Sequence, residues 1–331
     1  MNRMRLLYLT VGLAGLFGGG CLGDAPHSNP LDPLSDDFEA VGQADFIVTS
    51  FYAPFRPLDS VEVVLTPGPF LGRTDGQGRL ILSRLPEGLY EMEARRAGYA
   101  AVRDTLRIRT GRTTLDTLRL DGLPDATAVQ FATVHIRRRW PPPFDLYQLE
   151  VQADVADPDG LADVEQVWLE LPGEGFTAAL PPTAEPGRFA NVFAESTLPT
   201  ASLHALLGLP FQLRLRDRAG VEHTNGPHQL VRVIEPTPLA VAPVGGITLT
   251  DPRPTLQWQA ANLPYPFTYR IEVFRDESVS IRERVFDHLP PDSLSVRLDT
   301  PLAPGAYFWT VSVVDTFGNR SRSNREGFII Q

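Results

Sequence analysis

Three aspartates that lie close together in the chain could hold a metal ion. Asp157, Asp159 and Asp163 surround Gly160 in a segment that begins Asp-Pro-Asp-Gly. Hard cations such as calcium prefer clustered carboxylate oxygens on a turning backbone. The same segment also makes a good turn without any ion, and Pro158 takes a spacer position in a short loop. The turn is the primary interpretation and a calcium loop the alternative, so the sequence predicts no metal and no cofactor.

An arginine-rich segment is the most unusual local feature of the sequence. Arg137, Arg138 and Arg139 are followed directly by Trp140 and then by three prolines. Guanidinium groups pair with anions and stack on aromatic rings, so these residues could contact an anionic polymer or a protein partner. The alternative is a strand end that is flanked by arginines and followed by a rigid loop.

Histidines and sequence motifs give little indication of catalysis. His223 and His228 flank a Thr-Asn-Gly-Pro segment, and a hairpin turn there could bring their imidazoles together. A zinc site needs more than two ligands, so we favour a solvated turn. The sequence also lacks the H-E-x-x-H, G-x-S-x-G and phosphate-loop patterns. We therefore expect a protein that binds and does not catalyse, and no catalytic residue is predicted.

Cys21 is the only cysteine of the chain and ends an apolar N-terminal segment. A basic start with Arg3 and Arg5 leads into an apolar run over residues 6–17, and three glycines follow. A run of about 12 residues is too short to cross a bilayer and is typical of an export signal. The segment resembles a bacterial lipoprotein signal, which implies cleavage after residue 20 and lipidation of Cys21. Ordinary secretion with an unmodified Cys21 is the alternative.

The segment after the cysteine indicates a tether. Residues 21–43 are rich in Gly, Pro, Asp and Ser, a composition that does not build a core. Leu22 follows the cysteine, and this resembles the outer-membrane address of Gram-negative lipoproteins. The multiple acyl chains that the resemblance implies would hold the protein stably on a membrane.

Composition limits the classes of partner. The chain has 331 residues, a formal net charge of −10 and no lysine among its 30 basic residues. A net acidic protein is a poor general partner for nucleic acid, so none is predicted. With one cysteine, disulfides cannot hold the folds together, and each domain depends on its apolar core.

Short alternating runs of apolar and polar residues, separated by Gly, Pro, Asp and Asn, predict an all-β protein. Within residues 44–121, T-D-G-Q-G-R-L begins at Thr74, L-P-E-G-L-Y at Leu85 and A-G-Y at Ala97. These motifs resemble the carboxypeptidase regulatory-like domain. The resemblance implies a small transthyretin-like β-sandwich that carries no peptidase residues.

Residues 122–236 predict a second sandwich. Asp157–Leu161 and the segment around Leu215–Gly220 resemble parts of a bacterial immunoglobulin-like domain. Its expected strands include Leu230–Ile234, and Thr200–Gly208 is expected to be a short helix.

Residues 237–331 resemble a fibronectin type III domain. The resemblance rests on Pro254-Thr255-Leu256-Gln257-Trp258 and on the turn Leu302-Ala303-Pro304-Gly305-Ala306-Tyr307. It implies that Trp258 is the core tryptophan and that Tyr307 forms a tyrosine corner, in which the hydroxyl bonds back to the chain.

These patterns together predict three tandem β-sandwich domains behind a signal peptide (residues 1–20) and a flexible tether. The expected function is that of a non-enzymatic cell-envelope lipoprotein, which presents its sandwiches to an envelope protein or polysaccharide. A glycan-binding accessory lipoprotein is the alternative. The expected partners are a membrane, through the lipid anchor, and an unknown envelope protein or polysaccharide.

Overall fold

The computed structural model describes Ser35 and residues 39–68 and 70–331. Regular structure in this part of the chain is almost entirely β-strand, with short 3-10 helices at Pro172–Glu174, Glu195–Thr197 and Leu203–Leu206. No helix among the described residues is long and apolar enough to span a membrane. The predicted all-β fold class is confirmed.

The first sandwich has seven strands in two sheets. They are β1 (Val41–Ser50), β2 (Glu62–Thr66), β3 (Phe70–Arg73), β4 (Arg79–Pro86), β5 (Gly88–Arg95), β6 (Val102–Ile108) and β7 (Thr113–Leu120). One sheet has the order β4-β1-β7, with β1 and β7 parallel, and the other has the order β3-β2-β5-β6. Phe46, Val48, Val63 and Leu65 are fully buried between the sheets. The alternation of apolar and polar residues along β1 and β2 therefore builds this core.

The second sandwich also has seven strands. They are β8 (Asp125–Arg137), β9 (Asp145–Ala156), β10 (Val164–Leu171), β11 (Phe176–Ala179), β12 (Arg188–Ala194), β13 (Phe211–Asp217) and β14 (Glu222–His228). The antiparallel strands β12, β9 and β8 face a sheet of order β11-β10-β13-β14. Leu149 and Val151 of β9 pack in one core with Leu169 and Leu213 of the facing sheet.

The third sandwich has nine strands. They are β15 (Ala240–Ala242), β16 (Ile247–Leu249), β17 (Thr255–Trp258), β18 (Phe267–Arg275), β19 (Ile281–Leu289), β20 (Ser295–Arg297), β21 (Gly305–Asp315), β22 (Arg320–Arg322) and β23 (Glu326–Ile330). Trp258 is buried, and its ring meets the edge of Tyr269 with ring centroids 5.4 Å apart. The hydroxyl of Tyr307 donates to the carbonyl of Ala303 over 2.8 Å. The core tryptophan and the tyrosine corner implied by the fibronectin resemblance are both present.

The first sandwich contains a similar corner. The hydroxyl of Tyr90 donates to the carbonyl of Pro86 over 2.9 Å, again four residues back along the chain. In both sandwiches the tyrosine follows a Pro-x-Gly or Pro-Gly turn that leads into a buried strand. The phenol packs in the core while its hydroxyl satisfies a carbonyl of that turn.

The second and third sandwiches share one continuous sheet. Strand β22 pairs in parallel with β8, with Arg320 opposite Val134, so nine strands join in one hydrogen-bonded sheet. The buried Asn319 Oδ1 accepts a 2.9 Å hydrogen bond from the backbone N–H of Thr133. These two sandwiches are therefore joined by a backbone ladder and by buried side-chain contacts as well as by the connecting chain.

Two predicted elements differ from the structure. Leu230–Ile234 joins no strand and makes only an isolated bridge between Leu230 and Leu207. Its apolar pattern arises because Leu230 is buried in the second core and Ile234 in the third, so the segment is an extended connector. The predicted helix at Thr200–Gly208 is a 3-10 helix of four residues, Leu203–Leu206, because so short a segment gains little from helix propagation.

Three apolar cores lie within residues 44–120, 126–230 and 234–330. The first strand, β1, begins at Val41, inside the segment predicted as tether. That each sandwich folds as an independent domain stays a prediction.

Candidate functional site

The arginine-rich segment forms one side of a groove where the second and third sandwiches meet. The groove has a volume of about 440 Å³ and lies where the end of β8 and the loop after it meet β22 and the short segment before β23. We call it the arginine groove, and its lining residues are Ile136, Arg137, Arg138, Arg139, Trp140, Pro141, Leu146, Arg322 and Arg325. It gathers five guanidinium groups, and none of these nine residues is acidic.

An exposed aromatic ring lies on the loop of the arginine groove. The side chain of Trp140 is 78% exposed, whereas the other three tryptophans of the chain are buried. Arg138 closes the base of the loop, because its N–H donates to the carbonyl of Phe144 over 2.8 Å and its Nε donates to Pro143 over 2.9 Å. The loop therefore holds the indole out of the protein on a closed base.

The positive charge of the arginine groove is only partly balanced. Arg139 donates to the buried carboxylate of Glu326 over 2.5 Å, and Arg325 lies 4.7 Å from the ring centroid of Phe308. Arg322 has a buried Nε without a hydrogen-bond partner, and burial, followed by the charge of Arg325, lowers its pKa. Clustered guanidinium groups of this kind favour an anionic ligand.

The sequence alone indicated four of the nine residues that line this groove. Arg137, Arg138, Arg139 and Trp140 were predicted as a contact surface, and all four line it. Arg322 and Arg325 come from the far end of the chain, and the pairing of β22 with β8 brings them here. Nothing in the local pattern of so short a strand indicates its partner.

A second charged cluster lies where the first sandwich meets the second. We call the five aspartates Asp121, Asp157, Asp159, Asp163 and Asp217 the acidic junction. One carboxylate oxygen from each of Asp121, Asp159 and Asp163 lies within 4.8 Å of the other two. Asp121 directly follows β7 of the first sandwich, whereas the other four belong to the second. The structure thus places the three predicted aspartates near one another and adds two that sequence spacing did not indicate.

A tight turn presents the carboxylates of the acidic junction. The Oδ1 of Asp157 accepts the N–H of Asp159 over 2.7 Å, and the carbonyl of Asp157 accepts the N–H of Gly160 over 3.0 Å. The Oδ2 of Asp159 accepts the N–H of Gly122, in the chain between the sandwiches, over 2.7 Å. A Cβ at position 122 would lie 3.0 Å from both Asp157 Oδ1 and Pro158, so glycine permits this close approach.

Several carboxylate oxygens of the acidic junction are buried without a hydrogen-bond partner. Asp121 is 6% exposed and neither of its oxygens is paired, and the Oδ2 atoms of Asp157, Asp163 and Asp217 are also buried and unpaired. Burial first, and then the neighbouring carboxylates, raise the pKa of Asp121 to about 7. Burial also raises the pKa of Asp157 to about 6. Buried carboxylates without a partner are costly, and a cation would relieve that cost.

The two candidate histidines do not come together. Their segment is strand β14, not a hairpin turn, because its backbone pairs along β13. His223 lies 3.4 Å from a carboxylate oxygen of Asp125, whereas His228 stacks on Phe131 with ring centroids 5.3 Å apart. The predicted turn was therefore wrong, and an extended strand separates the two imidazoles.

Cys21 and the signal peptide lie outside the described residues. The same holds for the tether up to residue 38, apart from Ser35. Cleavage after residue 20, lipidation of Cys21 and the outer-membrane location therefore stay predictions.

Neither a protein-family model nor a curated protein matches this chain. Among solved structures, the chain is similar to the Bacillus anthracis TIE protein, with 12% identity and a TM-score of 0.26. That similarity covers 88% of this chain and 48% of the other, so this chain spans about half the length of that protein.

Two further solved structures are similar to this chain. One is BcpA, the major pilin subunit of Bacillus cereus, with 9% identity over 85% of this chain and 91% of the other, at a TM-score of 0.28. The other holds the fibronectin(III)-like modules of Clostridium thermocellum CbhA, with 13% identity over 63% of this chain and 93% of the other, at a TM-score of 0.28. At such TM-scores these similarities say nothing about what this chain binds.

Proposed function

We propose that this chain is a non-enzymatic lipoprotein of the cell envelope that binds an acidic polysaccharide at the arginine groove. The proposal rests on five guanidinium groups and one exposed indole in a groove without an acidic lining residue. The whole chain has a formal net charge of −10, so this positive groove is a local reversal of charge. Such a reversal favours a specific anionic ligand over general electrostatic attraction.

The side chains of the arginine groove suit a polymer with repeated acidic groups. A guanidinium group presents a planar fork of N–H donors that matches carboxylate, sulfate or phosphate oxygens. Arg137 and Arg325 are exposed at the groove and could each pair with one acidic group of a chain. The flat face of Trp140 offers an apolar surface on which a sugar ring can stack. Charge and ring stacking together favour an acidic polysaccharide over a neutral glycan.

The groove is better suited to holding a ligand than to transforming one. Arginine keeps its proton in proteins and so is a poor general acid or base near neutral pH. The other lining residues are Ile136, Trp140, Pro141 and Leu146, which supply no nucleophile. This chemistry supports a binding role.

The lipid anchor is the second half of the proposal and rests on sequence alone. A solitary Cys21 after three glycines supports lipidation, and Leu22 supports placement in the outer membrane of a Gram-negative bacterium. Two or more acyl chains anchor stably, whereas one binds only marginally. The proline-rich tether would then give the three sandwiches reach along the membrane surface.

The binding half can be tested with polygalacturonate as the acidic polysaccharide and dextran as the neutral one. The full-length protein, purified in detergent, should bind immobilised polygalacturonate, and the affinity should fall as salt screens the charges. Arg137→Gln together with Arg325→Gln should weaken binding at least about tenfold, since each removes one charge-assisted hydrogen bond. Arg107→Gln with Arg109→Gln removes two exposed arginines of the first sandwich and is the matched control.

The two double variants distinguish binding at the arginine groove from an effect of the protein's net charge. Weaker binding by the groove variant alone supports the proposal. Equal losses in both variants would show that net charge and not this groove governs binding. Binding to dextran as strong as to polygalacturonate, or capture of only an acidic protein from envelope extract, would replace the acidic polysaccharide with the alternative partner.

A further inference from the structure

We propose that the acidic junction is a calcium site in which Asp121 of the first sandwich joins Asp159 and Asp163 of the second around one ion. The ion would bridge the two sandwiches and fix their relative position. This inference concerns a different part of the protein from the arginine groove and is independent of what that groove binds.

Geometry is the first argument for one ion. Calcium binds oxygen ligands at about 2.3–2.6 Å, so two oxygens on opposite sides of the ion lie about 5 Å apart. The chosen carboxylate oxygens of Asp121, Asp159 and Asp163 all lie within 4.8 Å of one another. All three can therefore contact the same ion without a large movement of the backbone.

Unpaired buried oxygens are the second argument. Asp121 is more than nine-tenths buried, both of its carboxylate oxygens lack a partner, and it faces the other aspartates of the cluster. The buried Oδ2 atoms of Asp163 and Asp217 lack partners too. The charged groups that act most strongly on Asp121 are the four other aspartates of the junction. A divalent cation supplies the counter-charge that these groups lack.

The type of ligand atom at the acidic junction indicates which class of ion would bind. All candidate ligands are oxygens, whereas zinc prefers histidine nitrogen and cysteine sulfur. Magnesium requires near-ideal octahedral geometry and retains several waters, while calcium accepts six to eight oxygens in irregular arrangements. A buried cluster of aspartates on a turn fits calcium best.

The ligands come from both sides of the junction, and neighbouring contacts hold them there. The carbonyl of Asp121 accepts the N–H of Ala100 over 2.8 Å, which fixes it to the first sandwich. The carbonyl of Asp163 accepts the N–H of Arg218 over 2.9 Å, which fixes it to the second. Tyr52 of the first sandwich also lies beside the site, because its phenol interacts with Asp163 and with the charges of Asp121 and Asp217. Its phenol is therefore well placed to report on a bound ion.

Calcium and terbium binding by the full-length protein in detergent tests the site. After chelator treatment, calcium at about 100 times its dissociation constant should raise the melting temperature by about 5 °C or more. Terbium, which takes the oxygen ligands of calcium, should luminesce when tyrosine is excited, and Tyr52→Phe should reduce that signal. Asp121→Asn should weaken calcium binding at least about tenfold, whereas Asp292→Asn, an exposed position in the third sandwich, should leave it unchanged.

A second signature distinguishes a ligand from a structural aspartate. In the metal-free protein, Asp121→Asn removes a buried like charge, so the variant should be at least as stable as the unaltered protein. With calcium bound, the unaltered protein should be more stable than Asp121→Asn. No calcium-dependent shift, an equal response to magnesium, or an unchanged affinity in Asp121→Asn would each overturn the proposal. Loss of binding in Asp163→Asn but not in Asp121→Asn would place the ion in the second sandwich alone and refute the bridge.

Discussion

Asn319→Ala tests how firmly the second and third sandwiches are joined. Asn319 is 1% exposed and lies in the turn between β21 and β22. Its Oδ1 accepts from the N–H of Thr133 over 2.9 Å and from the hydroxyl of Thr133 over 3.1 Å. Its Nδ2 donates to the carboxylate of Asp315 over 3.0 Å. The substitution removes all of these contacts at a fully buried position.

The expected loss follows from which groups become unpaired. The hydroxyl of Thr133 keeps its bond to the carbonyl of Arg232, and Asp315 keeps an ion pair with the Arg232 side chain. The N–H of Thr133, which is 0% exposed, loses its acceptor at a cost of about 2 kcal/mol. The lost bond to a carboxylate costs about 1.5 kcal/mol. We therefore expect Asn319→Ala to lower the free energy of unfolding by about 3–4 kcal/mol.

Equilibrium unfolding in urea, followed by tryptophan fluorescence, measures this loss. The tryptophans lie in the second and third sandwiches, so the signal reports on the two partners of this junction. Asn262→Ala makes the same substitution at an exposed position of the third sandwich and should cost less than about 0.5 kcal/mol. If Asn319→Ala costs no more than Asn262→Ala, the buried contacts do not hold the junction and the reasoning is wrong.

Three further predictions concern the anchor, the third core and acid stability. Cys21→Ser should move the protein from the detergent-soluble membrane fraction to the aqueous fraction, and persistent membrane association would exclude this residue as the sole anchor. Trp258→Ala should lower the free energy of unfolding by about 3–5 kcal/mol through the cavity that it leaves, and an unchanged urea midpoint would contradict the burial of this ring. The hydrogen bonds from Arg79 hold the pKa of Asp45 below its ordinary value of 3.8, so this pair stabilises the protein above that pH and its contribution is lost as the pH falls further. Between pH 5 and pH 2, the free energy of unfolding should therefore fall more steeply with decreasing pH in the unaltered protein than in Asp45→Asn. Equal slopes in the two proteins would contradict a stabilising role for the pair.

Both charged features of this protein lie where sandwiches meet. The acidic junction lies between the first and second sandwiches, and the arginine groove lies beside the shared sheet of the second and third. Loops and strand ends from two sandwiches converge at such places, so residues from distant parts of the chain can form one surface. Calcium at the acidic junction and an acidic polysaccharide at the arginine groove would thus bind the same protein at two different contacts between sandwiches.

Local sequence was sufficient for most strands because burial on one face imposes a period of two. Along β13, from Phe211 to Asp217, buried residues alternate with half-buried ones, and the sequence shows the same period of two. Strand β14, Glu-His-Thr-Asn-Gly-Pro-His, was missed because it is a polar edge strand, which buries little and carries turn-forming residues. Leu230–Ile234 was predicted as a strand but is an extended connector. Its end residues are buried in two different cores, which produces the same apolar alternation as a strand.

The sequence by itself determined the all-β class, the tyrosine corner at Tyr307 and three of the five charged residues in each charged cluster. These features depend on neighbours within a few residues, so spacing along the chain reveals them. Only the tertiary structure brought Asp121 to the turn at Asp157 and Arg322 to Arg137. The pairing of β22 with β8 and the packing of one sandwich on the next decide those contacts. Such pairing and packing arise from burial and hydrogen bonding between residues far apart in the chain, and no local sequence pattern encodes them.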